Sequence, residues 1–260
     1  MKSIVFSTWC TDDYVDKVNL EGLKNSLKYF HPDIPHVIYD TKETERLKSI
    51  HSKSKVEPYY MMPFTCMELA EDFDMVIHID ADSTVTGPLT ELLEAKEDIV
   101  GVRNNNSFGK AGCHDLITLP GIPPYEFLNA GLVGSNNKHF WHVWNYMNQT
   151  IGDMCDGHEN DTLCMLFQEN QFTTKMLDPL GTEVSYGLSN VWGTEHHWES
   201  WKDLYIVDDK LMLDDPNTGK TMHVKVMHQG GGSGCIYPMR PWMDSLFTDE
   251  VKEYFRKITS

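Results

Sequence analysis

The chain has no C-x-x-C pair: Cys10, Cys66, Cys113, Cys155, Cys164 and Cys235 stand far apart along its 260 residues. That spacing excludes a cysteine-built structural zinc site and a dense disulfide framework, and leads us to expect a reducing compartment. Long apolar runs are also missing. No window approaches the roughly 20 apolar residues of a bilayer span. The opening residues 1–8 carry one lysine and run straight into a polar loop, so they lack the apolar core of a signal peptide. A cytoplasmic protein is therefore expected. Basic residues are scarce, 22 against 39 acidic ones for a formal charge of −17, so most of the surface repels nucleic-acid phosphates and anionic lipids. No nucleic-acid partner is expected. We find no internal repeat and no low-complexity linker, and 260 residues are within reach of one α/β domain.

What is present is an alternation of strand and helix patterns. Residues 3–8 (SIVFST) read as a buried strand, and Leu20, Leu23, Leu27 and Phe30 follow at helical spacing. Residues 36–40 read as a second strand. Thr65-Cys-Met-Glu68 has the form of a capping box opening a helix that leads into the strand at 74–80. Short strands are expected at 98–102 and 131–135, and a helix with Phe140, Val143, Trp144 and Met147 on its buried face. The last third holds a tryptophan-rich stretch at 192–201, a strand near 204–207, an alternating strand at 222–228, a glycine break at 230–234 and a closing helix over 248–258. This order predicts an α/β fold with a mixed, mainly parallel sheet flanked by helices.

The strongest chemical signal is the apolar strand that ends in Asp80-Ala-Asp82. Ligands of open α/β sheets bind beyond the carboxyl ends of strands, where these acids fall. Mg²⁺ and Mn²⁺ take oxygen ligands, commonly one or two carboxylates, and leave positions for substrate phosphates. An acidic protein that binds a diphosphate needs such a local positive charge. His228 shares the face of Val224 and Val226 by period-2 alternation and precedes the glycines, which makes it a candidate third ligand. Gly230, Gly231 and Gly232 allow backbone to approach a ligand closely. Asn129-Ala-Gly131 offers amide contacts, and Glu159-Asn-Asp161 opens a helix with Asp161 placed either to cap it or to reach past it.

In this order the segments resemble the GT-A glycosyltransferases, specifically family 8, the group of glycogenin and the bacterial lipopolysaccharide galactosyltransferases. The correspondence runs through residues 8–14, Asp80-Ala-Asp82, Asn129-Ala-Gly131, Glu159-Asn-Asp-Thr-Leu163, His228-Gln-Gly-Gly231 and Arg240-Pro-Trp242, nearly the whole chain. Asn160 stands where the family has glutamine, and Arg240 where it has lysine. The resemblance implies one GT-A domain, with a nucleotide-binding half at 1–102 and an acceptor half at 103–260. It implies that Thr8, Cys10, Thr11 and Tyr14 line the nucleotide pocket, Tyr14 stacking on the base, and that Ala81, Gly231 and Arg240 help hold the donor. The family's basic residue before the D-x-D strand meets only apolar residues at 62–64, and Arg103 is the candidate substitute. Asp80, Asp82 and His228 would bind Mn²⁺ or Mg²⁺. Asn129, Ala130 and Gly131 would face the donor sugar together with the candidate catalytic residues Glu159, Asn160 and Asp161. The implied reaction is hexosyl or pentosyl transfer from a nucleotide-sugar, a UDP-sugar by the same resemblance, to a glycan or other hydroxyl acceptor.

Two other readings fit parts of the chain. A sugar nucleotidyltransferase would want a glycine-rich, basic phosphate loop after the first strand, and residues 7–14 contain neither glycine nor lysine. A non-catalytic nucleotide-sugar or carbohydrate-binding module would draw on the seven tryptophans as stacking surfaces. Donor turnover separates it from an enzyme.

Overall fold

A computed structural model describes residues 2–15, 18–50, 58–103, 128–151, 159–168, 171–178, 184–189, 203–214, 219–228 and 247–260. The tryptophan-rich 192–201 stretch, Gly231 and Arg240 lie outside the described residues. In chain order the first elements are β1 (Ile4–Trp9), α1 (Asp12–Val15), α2 (Leu20–Phe30), β2 (His36–Tyr39), α3 (Thr41–Ile50), α4 (Pro58–Leu69) and β3 (Met75–Ile79). They continue with β4 (Ser83–Val85), α5 (Thr90–Leu93), β5 (Ile99–Arg103), β6 (Leu128–Ser135), α6 (Lys138–Ile151) and α7 (Glu159–Gln168). The last are β7 (Thr174–Leu177), β8 (Val184–Ser189), β9 (Tyr205–Val207), β10 (Lys210–Asp214), β11 (Thr221–His228) and α8 (Asp249–Thr259). No described helix is long and apolar enough to cross a membrane.

The chain forms two compact units, each assembled from three separate segments. The first comprises Met1–Asp12, Pro35–Ile79 and Glu91–Met176. Its six-stranded sheet has the order β2-β1-β3-β6-β5-β7. β1 pairs in parallel with β2 and β3, while β6 runs antiparallel to both β3 and β5. Parallel strands need crossover connections: α1 and α2 lie between β1 and β2 in the chain, and α3 and α4 between β2 and β3. The alternation of strands and helices thus yields the expected mixed α/β sheet. β3 is buried along its whole length, as a strand covered on both faces should be. Val76 of β3 and Val5 of β1 join a cluster with Met61, Phe64, Phe140, Trp141, Trp144, Leu163 and Leu166.

One expectation for this unit fails. Thr65 does not open a helix: α4 begins at Pro58, and Thr65 lies inside it with its hydroxyl donated back to the Met62 carbonyl at 2.9 Å. Pro63 reads as a helix breaker, but it sits inside α4 past the first turn, where it forgoes one backbone bond while its neighbours Met61, Met62 and Phe64 are buried. Glu68, the acid of that expected box, instead receives both Arg46 Nη2 contacts, at 2.9 and 2.8 Å, and the Tyr39 hydroxyl at 2.9 Å. It thereby ties α4 to α3 and β2.

The second unit comprises Asp13–Ile34, Asp80–Thr90 and Leu177–Ser260. Its sheet has the order β4-β11-β10-β9, with β8 also on β11. β11 has two edges and three partners. β10 pairs with its first residues and β4 with its last, both antiparallel, and β8 runs parallel along the other edge. β10 was not anticipated from the sequence. It follows a tight turn at Asp208 and Asp209, both in the left-handed region that aspartate tolerates. The closing helix agrees with its sequence pattern: Thr248 caps it by accepting from the Val251 amide, and Val251, Phe255 and Ile258 are buried against Leu211, Leu213, Met222 and Val224.

Candidate metal and donor site

β3 ends at Ile79, and Asp80 opens the segment Asp80–Thr90 of the second unit. The Ser83 amide donates to the Asp80 carbonyl at 3.0 Å, which folds Asp80-Ala-Asp82 into a tight turn before β4. β4 then pairs antiparallel with β11 in the register Val85 with Val226, Thr84 with Met227 and Ser83 with His228. This ladder is what brings residues 80–82 and His228 together across a wide gap in sequence. Directly opposed residues share a face, so His228 projects on the side of Ser83, beside the turn.

The three side chains meet closely. His228 Nε2 lies 3.3 Å from Asp80 Oδ2 and 3.1 Å from Asp82 Oδ1. One potential ligand atom from each lies within 4.8 Å of the other two. His228 and Asp82 are nearly buried, whereas the Asp80 side chain is 41% exposed, so the cluster is walled on the protein side and open on the other. Burial alone would lower the His228 pKa. The Asp82 charge, hydrogen bonds to Asp80 and Asp82, and the Asp80 charge together outweigh it and hold the imidazole up to about 10. Without a cation His228 is thus a charged donor to both carboxylates, and a bound ion would take the place of its Nε2 proton. Two carboxylates and one imidazole with an open side suit Mg²⁺ or Mn²⁺, and the residues present fit such an ion.

In the first unit, Asn129, Ala130 and Gly131 occupy a break in the ladder between β5 and β6, where the register shifts between Gly101 and Val102. A side chain at Gly101 would meet the Leu132 carbonyl at 3.1 Å, so glycine allows the strand to close over this irregularity. The backbone donors freed there are taken up by side-chain amides. Asn160 Oδ1 accepts from the Ala130 amide at 2.8 Å, and Asn129 Oδ1 accepts from the Gly131 amide at 2.8 Å. Asn160 thus joins the first turn of α7 to β6. Replacing it with Ala leaves the Ala130 amide, 1% exposed, without its acceptor, and should cost about 1–3 kcal/mol of stability. Asn160→Asp retains the acceptor oxygen and should cost less. Denaturant midpoints of the two variants check this, and equal losses would refute the clamp.

The start of α7 is held from below as well. Trp144 Nε1 lies 3.3 Å from the Glu159 carbonyl and 3.1 Å from Thr162 Oγ1, and the Thr162 hydroxyl in turn reaches Asn148 Oδ1 at 3.1 Å. Sequence reasoning placed Trp144 only as a core residue. The overlooked signal was its indole N–H, which needs an acceptor once buried. Glu159, Asn160 and Asp161 are the first three residues of α7, so all three lie in its opening turn.

The remaining candidates are spread over both units. Thr8 is fully buried, donating to the Ile79 carbonyl at 2.8 Å while its oxygen contacts His36 Nε2 at 2.9 Å. Its side chain joins β1, β2 and β3. Cys10 is also buried, with its amide on the Tyr39 carbonyl at 3.0 Å, whereas Thr11 and Tyr14 are half-buried. Ala81 is buried within the acidic turn, and Arg103 ends β5 opposite Leu128.

The six-stranded sheet, with the acidic turn at the carboxyl end of its central strand, defines the GT-A class of fold. Among solved structures the chain is similar to the galactosyltransferase LgtC in complex with donor and acceptor sugar analogues, with a TM-score of 0.57, 16% identity, and coverage of 98% of this chain and 94% of that one. It is also similar to the bifunctional glycosyltransferase WbbM in its apo form, with a TM-score of 0.57 and 14% identity, all of this chain covering 50% of that one. A third likeness is to the glycosyltransferase GlyE of Streptococcus pneumoniae TIGR4, with a TM-score of 0.52, 14% identity, and coverage of 100% of this chain and 61% of that one. No protein-family model and no curated protein sequence matches the chain.

Proposed function

We propose that the chain is a metal-dependent glycosyltransferase that takes a nucleotide-sugar as donor, in the first instance a UDP-sugar. The observation that carries this reading is the convergence of Asp80, Asp82 and His228 at the carboxyl end of a GT-A sheet. Asp80, Asp82 and neutral His228 would hold Mn²⁺ or Mg²⁺. Once bound, the ion supplies positive charge against the departing diphosphate. Thr11 and Tyr14 are assigned to the nucleotide, Tyr14 by stacking, with Cys10 and Thr8 supporting the loop from within. Arg103, Gly231 and Arg240 are assigned to the donor.

The protein's part in transfer is then geometric and electrostatic. Asn129, Ala130 and Gly131 are assigned to the sugar, with Asn160 positioning them through the Ala130 amide. Glu159 and Asp161 are the carboxylates assigned to the acceptor hydroxyl. One of them acts as base if the anomeric configuration inverts, and neither is required to if it is retained.

The test is a donor-hydrolysis screen across nucleotide-sugars with Mn²⁺, Mg²⁺ and chelator, followed by NMR of the product's anomeric centre. Cleavage of at least one donor, abolished by chelator, is expected. Donor binding without turnover of any donor, in the presence of glycan and simple hydroxyl acceptors, would identify a binding module instead. In the same assay His228→Ala should raise the Mn²⁺ concentration for half-maximal activity at least tenfold, because one of three ligands is lost and no large cavity is made. An unchanged metal titration would remove His228 from the ligand set.

A further inference from the structure

The geometry points to the Ser83 hydroxyl as a fourth oxygen donor to the divalent ion at Asp80, Asp82 and His228. This inference rests on the metal-site reading above. Ser83 is 2% exposed, and its Oγ has no hydrogen-bond partner among the described residues. A buried hydroxyl is normally paired, and one left unpaired calls for a reason. Its surroundings supply one. The backbone of Ser83 is fixed twice, by its amide on the Asp80 carbonyl and by its ladder position opposite His228. The direct antiparallel register puts its side chain on the same face as the His228 imidazole, and Asp82 precedes it in the chain. Thr84, also buried with an unpartnered hydroxyl, faces the other way with Met227 and is not part of this group.

A serine hydroxyl is a hard oxygen donor of the kind Mg²⁺ and Mn²⁺ accept, and it adds no charge to a site that already holds two carboxylates. With Ser83 the protein would offer three oxygens and one nitrogen to the ion, and donor phosphate oxygens would complete its ligands. Ligation would give the unpaired Oγ a partner for its lone pair.

Direct titration of the whole chain with Mn²⁺, without any donor, tests this by calorimetry or by loss of the free-ion paramagnetic signal. Ser83→Ala should weaken Mn²⁺ binding about tenfold. In chelator, its thermal midpoint should equal or exceed that of the native protein, because an unpaired hydroxyl is removed. Ser83→Cys should shift preference from Mn²⁺ toward the softer Cd²⁺, as a direct ligand must. Unchanged Mn²⁺ affinity in Ser83→Ala, with affinity lost in Asp82→Asn, would overturn the Ser83 assignment and leave the metal site standing. A lowered midpoint in chelator would show the hydroxyl to be structural and would also overturn it. If the native protein binds no Mn²⁺ at all, the metal reading and this inference fall together.

Discussion

Asp82→Asn should lower metal-dependent kcat by a hundredfold or more while leaving the secondary structure intact. The charged ligand is lost, but the side-chain volume is kept, so no cavity opens. Asp82 is the more enclosed of the two carboxylates and approaches His228 more closely than Asp80 does, 3.1 against 3.3 Å. A neutral amide there weakens the ion and also removes the nearer anionic partner of the imidazole. Loss of one positioned electrostatic group commonly costs two to three orders of magnitude in rate. The measurement is kcat at saturating donor and Mn²⁺, with circular dichroism alongside. Turnover at the native level would sink the D-x-D assignment, whereas partial recovery at high Mn²⁺ would mark the loss as one of metal affinity.

The second large effect is expected for stability. Trp144→Ala should cost about 3–5 kcal/mol, the usual range for emptying a buried aromatic site. That corresponds to a fall of roughly 10 °C in thermal midpoint for a chain of this size. Trp144 is fully buried, stacks on Trp141 at 5.7 Å between centroids, and packs against Phe140 at 5.5 Å. Its deletion also leaves Thr162 without the indole donor that helps set the first turn of α7. Trp144→Phe keeps much of the volume and loses only that donor, so it should fall well short of the alanine loss. If the two variants melt within a degree of each other, the packing argument fails.

Much of the scaffold was legible because its signals are local. β1 and β3 are apolar runs bounded by polar turns, and α2, α6 and α8 carry apolar residues at helical spacing. The alternation of β11 marked it as a strand, but it is interrupted at an irregularity around Val226, after which Met227 rather than His228 packs with Val224. The start of α4 was misread because Pro63 and the all-round apolar composition erase the amphipathic signature by which a helix is recognised. β10 escaped notice because its turn uses two aspartates in a left-handed conformation, without the glycine that usually marks a tight hairpin.

The sequence by itself determined which residue types are available and where each lies along its own strand or helix: acids at a strand end, an imidazole at another, an asparagine in the opening turn of α7. Periodicity acts over neighbouring residues, so it assigns a face and no partner. The tertiary structure alone decided who meets whom. The ladder of β4 with β11 carries His228 to Asp80 and Asp82 and sets Ser83 beside them, and the broken register between β5 and β6 gives Asn160 a backbone amide to hold. Those pairings depend on backbone hydrogen bonds between distant segments, which are the same for every side chain and therefore leave no trace in the residues that make them.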